Sequence, residues 1–200
     1  MSNRDPARRR VAIQAAAFCL DVLPLLAMIG RFLADDLGAN PIEAIAHTTG
    51  DWTLRLLLLS LAVTPLRRWL RLPVLAPLRR SFGLAAFGWA CLHLTTYVVL
   101  DLGMDPQALL DDLTERRYVM AGVAAFACLV PLAATSTRRS QKRLGRRWQR
   151  LHRLVYAAAI LGIVHYLWLV KADLAPPLLH AALLAVLLAS RFGRRHPADC

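Results

Sequence analysis

The stretch RLHRLVYAAAILGIVHYLW, residues 150–168, decides how this chain is read. It opens on Arg150 and Arg153, then runs apolar for most of its length and is interrupted by His165. A helix needs about 20 apolar residues to cross roughly 30 Å of hydrocarbon. A basic block leading into such a run is the pattern of a membrane helix with its charged end in the cytoplasm. His152 and His165 raise the question of function, because polar groups inside a span are costly and need partners. The partner can be the protein itself, a proton path or a metal.

The same pattern recurs on either side. The 200 residues are 57% hydrophobic yet carry a net charge of +12, and the mean hydropathy is +0.43. A soluble domain is nearer half apolar, whereas here the charges are segregated from long apolar runs. Six spans are predicted, at 11–32, 51–68, 82–102, 118–137, 151–170 and 176–192. They form an all-α six-helix membrane bundle over 11–192, with a basic tail at 1–10 and a second tail at 193–200. The first span is too long, and too poorly flanked, for a cleaved signal peptide. Pro131 is expected to bend the fourth span, leaving neighbouring helices to satisfy the freed carbonyl.

Six spans sort the charges. Of the 25 basic residues, all but Arg31, Arg55, Arg116, Arg117 and Lys171 fall in the two tails, the 2–3 loop or the 4–5 loop. Asp35, Asp36, Glu43, Asp51, Asp101, Asp105, Asp111, Asp112, Glu115 and Asp173 fall on the other side. The positive-inside rule then places both termini and both basic loops in the cytoplasm. The basic excess is therefore a topology signal, with some attraction to anionic membrane lipid, and not a nucleic-acid footprint. Trp52, Trp69, Trp148 and Trp168 lie near span ends, as an aromatic belt requires, and Trp89 lies deeper.

Cys19, Cys91, Cys128 and Cys200 make no CxxC pair, so they read as small hydrophobes and not as a zinc or disulfide framework. There is no GxGxxG, Walker or HExxH motif. Any chemistry belongs to the bilayer.

The six histidines are not equivalent. His196 sits in the basic tail, His180 lies near the outer surface, and His47 falls in the outer connection before the second span, where no role stands out. Asp21, mid-span in the first helix, can pair with a base, serve a proton path or bond within the bundle. His93 lies 12 residues past Ser81, and His165 lies 12 past Arg153. At 1.5 Å per residue, each is about 18 Å above its basic boundary on a parallel span. Two imidazoles at one depth suit bis-histidine haem ligation. Gly83, Ala85, Ala86, Gly88 and Ala90 before one histidine, and Ala157, Ala158, Ala159 and Gly162 before the other, leave room for a macrocycle. The same residues also let helices pack, and intramembrane histidines also relay protons. His152 lies about 20 Å below His165 and about 140° around the helix. It reads either as an interfacial residue or as a ligand to a second or alternative haem.

NPIEAIAHTTGDWTLRLLLLSLAVTPLRRW, LRRSFGLAAFGWACLHLTTYVVLDLG, TSTRRSQKRLGRRWQRLHRLVY and ILGIVHYLWLVK, taken in order, resemble the MsrQ (YedZ-type) family. These are the haem-binding membrane subunits of the periplasmic methionine sulfoxide reductase system, within the ferric-reductase-like transmembrane superfamily. The resemblance runs from about Asn40 to Lys171. It implies haem b held by His93, His165 and His152. Oxidase relatives carry two histidines on the third span and stack two haems; here that span has His93 alone, with Arg79 fourteen positions earlier. One haem or two therefore stays open. The resemblance also implies a bacterial inner-membrane electron-transfer subunit that is not itself the catalytic subunit. Its donor would be quinol or a cytoplasmic flavin reductase, with FMN associated, and its acceptor a periplasmic molybdopterin-containing reductase. No flavin or quinone residues can be named. A transmembrane ferric reductase with another acceptor, and a non-redox membrane protein, are the alternatives.

Overall fold

The computed structural model describes residues 6–170 and 172–192, and these form helices and connections with no strand. Arg4, Lys171, Arg194, Arg195, His196 and Cys200 lie outside the described residues. The first helix, α1, runs Pro6–Leu33 with Pro24 inside it. Helix α2 runs Pro41–Trp69. A single tight turn at Pro73–Leu75 leads into α3, Leu78–Thr95, which continues as a wide π-helical turn over Thr96–Asp101. Helix α4 is Pro106–Glu115 and α5 is Arg117–Ala134. Two short basic helices follow, α6 (Arg138–Leu144) and α7 (Arg146–Leu151), separated by Gly145 at φ +50°. Helices α8 (Leu154–Leu169) and α9 (Ala175–Phe192) complete the chain.

Four stretches are long and apolar enough to cross a membrane: Val11–Leu33, Pro73–Asp101, Arg117–Ala134 and Arg146–Leu169. Ala175–Ser190 is apolar but shorter. Helix α2 is long enough, but it carries Glu43, Asp51 and Arg55 in its first half and Arg67 and Arg68 at its end.

The structure moves several boundaries. The fifth predicted span breaks at His152–Arg153, so His152 ends α7 and only His165 lies on α8. Helix α2 starts at Pro41 and not near Asp51, so His47 sits on a helix and not in a loop. The cause is local. The Asn40 side chain accepts from the Glu43 backbone N–H at 3.3 Å, its amide donates to Glu43 Oε2 at 3.1 Å, and Pro41 takes the first helical position. A cap plus a first-turn proline fixes a helix start regardless of hydropathy. The acidic connection after Asp101 also contains α4, which Asp105 caps by accepting from Gln107 N at 2.8 Å and Ala108 N at 3.4 Å.

Two antiparallel helix pairs make the centre. In the first, Ser60 Oγ donates to the Arg79 carbonyl at 2.7 Å, and the Ala46 carbonyl meets His93 Nδ1 at 3.0 Å toward the other end. In the second, the Tyr118 carbonyl meets His165 Nδ1 at 2.6 Å. Its far end is closed by Trp148 Nε1 donating to the Thr135 carbonyl at 2.9 Å. Small residues let these helices approach. Ala86, Ala158 and Ala159 are fully buried, and a Cβ on Gly83 would stand 3.4 Å from Ser60 Oγ. Close packing of this kind, more than hydrophobic transfer, holds helices together in lipid. Phe18 and Leu23 on α1, and Leu179 and Val186 on α9, remain exposed. Broad apolar faces left open by helices of this length suit a hydrocarbon surround.

Candidate functional site

The structure brings His93 and His165 together, with ring centres 6.0 Å apart and planes at 79°. Each ring is fixed in the same way. A carbonyl oxygen only accepts hydrogen bonds, so a ring nitrogen facing one must carry the proton. His93 Nδ1–H donates to the Ala46 carbonyl at 3.0 Å and also lies 3.3 Å from the buried Thr49 hydroxyl. His165 Nδ1–H donates to the Tyr118 carbonyl at 2.6 Å. In both, the lone pair is left on Nε2. A backbone carbonyl that sets the tautomer and orientation is the usual support of a metal-binding imidazole.

The two holds are repeats of one device. Histidine and carbonyl are separated by 47 residues in both cases. One turn beyond each carbonyl stands a glycine against the ring. A Cβ on Gly50 would come within 3.2 Å of the His93 ring, and a Cβ on Gly122 within 2.8 Å of His165 Nδ1. Each antiparallel pair thus offers one imidazole, cradled on a glycine of its partner helix.

Around the rings lies a cavity of about 440 Å³ between α2, α3, α5 and α8, within the usual range for cofactor sites. Its inner wall is apolar, with Leu54, Ala90, Phe126 and Leu129, and Gly162 opens one side. Its rim is polar, with Asn40, His47, Tyr97, Tyr118 and Tyr166. A metal–imidazole bond is about 2 Å long, so an ion between two rings separates their nitrogens by about 4 Å. Ring centres 6.0 Å apart are of that order. The donor set, fixed tautomers, glycine cradles and amphipathic cavity fit a haem with two axial histidines. The described residues hold no cluster of three or more His, Cys, Asp or Glu side chains suited to a bare metal ion.

The remaining sequence candidates sit elsewhere. His152 is stacked on Trp148 with ring centres 3.9 Å apart, and its Nε2 is 3.1 Å from Thr135 Oγ1. That hydroxyl already donates to the Pro131 carbonyl at 2.6 Å, so the imidazole is the donor. His152 thus belongs to the far end of the α5–α8 pair, apart from the cavity. His180 Nδ1 donates back to the Pro176 carbonyl at 2.7 Å. The Asp21 carbonyl accepts from Trp89 Nε1 at 3.2 Å, while its buried Oδ1 has no hydrogen-bond partner among the described residues.

Sequence reasoning missed the supports. Most of the small residues singled out beside the histidines serve packing; Ala90 and Gly162 line the cavity, and Ala86, Ala158 and Ala159 are core. Gly50, Gly122 and Thr49, on the opposing helices, were not singled out. Nor was the network beside them. Tyr97 Oη donates to Asp112 Oδ2 at 2.6 Å, Arg116 Nε pairs with Asp112 Oδ1 at 3.0 Å, and Arg116 Nη1 donates to Tyr118 Oη at 3.2 Å. This network ties the π-helical turn and α4 to the residue whose carbonyl holds His165.

Comparison with known proteins places the chain in a family. A family profile described as "Ferric reductase like transmembrane component" matches residues 49–163, which include Gly50, His93 and Gly122 and stop just short of His165. The chain is also similar to three proteins named protein-methionine-sulfoxide reductase heme-binding subunit MsrQ. The one from Azospira oryzae is 46% identical over 98% of this chain and 84% of the relative. That of Rhodospirillum rubrum is 49% identical over 88% and 85%, and that of Ralstonia nicotianae 43% identical over 93% and 87%. The chain therefore belongs to the ferric-reductase-like transmembrane family and, within it, to the MsrQ group.

Proposed function

We propose that this protein is the haem b-bearing electron-transfer subunit of a methionine sulfoxide reductase system in the bacterial inner membrane. In this reading its two termini and its basic loops face the cytoplasm. His93 and His165 would hold the haem iron. The observation that carries the reading is that the two rings meet in one cavity, 6.0 Å apart at their centres, each with Nδ1 fixed on a backbone carbonyl so that Nε2 keeps its lone pair. A bound haem supplies a one-electron carrier whose potential is set by its axial ligands and burial. The chain's own work is to hold, orient and shield. Gly50 and Gly122 seat the rings, and the Ala46 and Tyr118 carbonyls fix their tautomer and aim them. Leu54, Phe126 and Leu129 exclude water.

Electrons enter from quinol or a cytoplasmic flavin reductase, with FMN as an associated carrier, and leave to a periplasmic molybdopterin-containing reductase that repairs oxidised methionine. His152 enters this proposal only as the candidate ligand of a second haem. The name shared by the relatives supports the system, and the repeated histidine hold supports the cofactor. The test is reconstitution in liposomes with quinol and the purified periplasmic reductase. Turnover of a methionine sulfoxide substrate that depends on this subunit, and fails with His93→Ala, is expected. Equal turnover without the subunit would overturn the assignment. Electron delivery to ferric chelates but not to the periplasmic reductase would favour a stand-alone ferric reductase.

A further inference from the structure

We infer that His47 is a positioning residue for the haem, holding a propionate at the cavity rim through a ring N–H. The inference rests on the haem reading above. A haem is amphipathic: an apolar macrocycle with two carboxylates on one edge. The cavity has matching polarity. Its inner wall is built from Leu54, Ala90, Phe126 and Leu129, while its polar groups gather toward the end where α2 begins. The carboxylate edge must face that end, because burying two anions against leucine and phenylalanine without partners is costly.

Among the described residues that line it, that end offers an anion a single cationic group besides the two ring-to-ring histidines. Glu43, Asp51 and Asp101 line it and repel carboxylates. Two arginines beside it, Arg55 and Arg116, are already paired. Arg55 Nη2 pairs with Asp51 at 2.9 Å and its guanidinium lies over the Trp52 ring, while Arg116 pairs with Asp112 and Tyr118. Among the described cavity-lining residues, His47 is the only side chain able to carry positive charge apart from the two ring-to-ring histidines. It is one residue beyond the carbonyl that holds His93, on the same helix. It is half exposed, and its Nε2 is 3.6 Å from Glu43 Oε1, too long for a hydrogen bond. The ring is thus placed at the rim with donor capacity that its own neighbours do not consume. Asn40 and Tyr118 line the same rim as neutral groups. They can solvate a carboxylate but cannot offset its charge.

The test uses the full-length protein in detergent, with His47→Ala and His47→Arg beside the parent. Two properties are read: the haem midpoint potential, and the propionate carboxylate bands in the reduced-minus-oxidised infrared difference spectrum, with carbon-13-labelled propionates for assignment. Loss of the donor leaves the propionate charge less compensated and favours the oxidised haem. His47→Ala is therefore expected to lower the potential and shift the carboxylate bands, while the bis-histidine absorbance is kept. His47→Arg should restore both toward the parent. Unchanged potential and bands in His47→Ala would overturn the inference. So would equal loss of haem from both variants, since the role would then be one of shape. A parent protein without haem would instead overturn the haem reading itself.

Discussion

Glycine 122 shows how much of the site rests on what a residue lacks. An added Cβ would stand 2.8 Å from His165 Nδ1, closer than side chains tolerate, and the imidazole is the part able to move. Alanine is a better helix former than glycine by about 1 kcal/mol, so Gly122→Ala should leave the helix intact and displace the ring. The expected outcome is a folded protein with most of its haem absorbance lost or altered. Gly50→Ala, at 3.2 Å from the His93 ring, should do the same more mildly, and Gly30→Ala, with open space around it, should be silent. Absorbance and circular dichroism on the three variants check the order. Asp112 is the second residue-scale test. Its buried carboxylate is satisfied by Tyr97 and Arg116. Tyr97→Phe removes one donor from a buried charge, at a cost of about 1–3 kcal/mol. Thermal unfolding in detergent should show the loss.

Helices were legible where hydropathy alone defines them. The apolar runs before and after His93 and His165 could be nothing else, and equal sequence depth put the two rings on one level. The start of α2 was not legible in the same way. Its first turns carry Glu43, His47, Asp51 and Arg55, which read as a polar connection. On the helix Arg55 pairs with Asp51 at i,i+4, and Glu43 stands 3.6 Å from His47 without a hydrogen bond. The signal that was available was Asn40–Pro41 followed by Glu43. Asn40→Ala should therefore cost about 1 kcal/mol of stability while leaving the haem absorbance unchanged, and chemical denaturation checks it. The glycine cradles were hidden for another reason. Their purpose lies in a contact with a different helix, and no local pattern encodes it. The one sequence trace is long-range: the spacing between histidine and supporting carbonyl recurs unchanged in both helix pairs. Helix α4 did carry a signal, Asp105–Pro106 at its start and Leu109, Leu110 and Leu113 at helical spacing, but it lies in an acidic connection where only spans were sought.

At the scale of the whole molecule, basic residues mark one end of the bundle and acidic residues the other, and the haem reading needs that polarity to become a direction across the membrane. Single cysteines in a background without the native ones test it. Gln107→Cys on α4 should react with a membrane-impermeant thiol reagent added outside spheroplasts, and Lys142→Cys on α6 should not. The reverse result would invert the topology and with it the route of electrons. The central claim, that two helix pairs each donate one histidine to a single haem, is tested most directly by a dithionite-reduced minus oxidised absorbance spectrum of the purified protein. It would be measured beside His93→Ala, His165→Ala and His152→Ala. A b-type spectrum is expected in the parent, and it should be lost or severely reduced in both the His93 and the His165 variants. The His152 variant reports whether a second haem is present. A full b-type spectrum in His93→Ala or His165→Ala, or none in the parent, would contradict that claim.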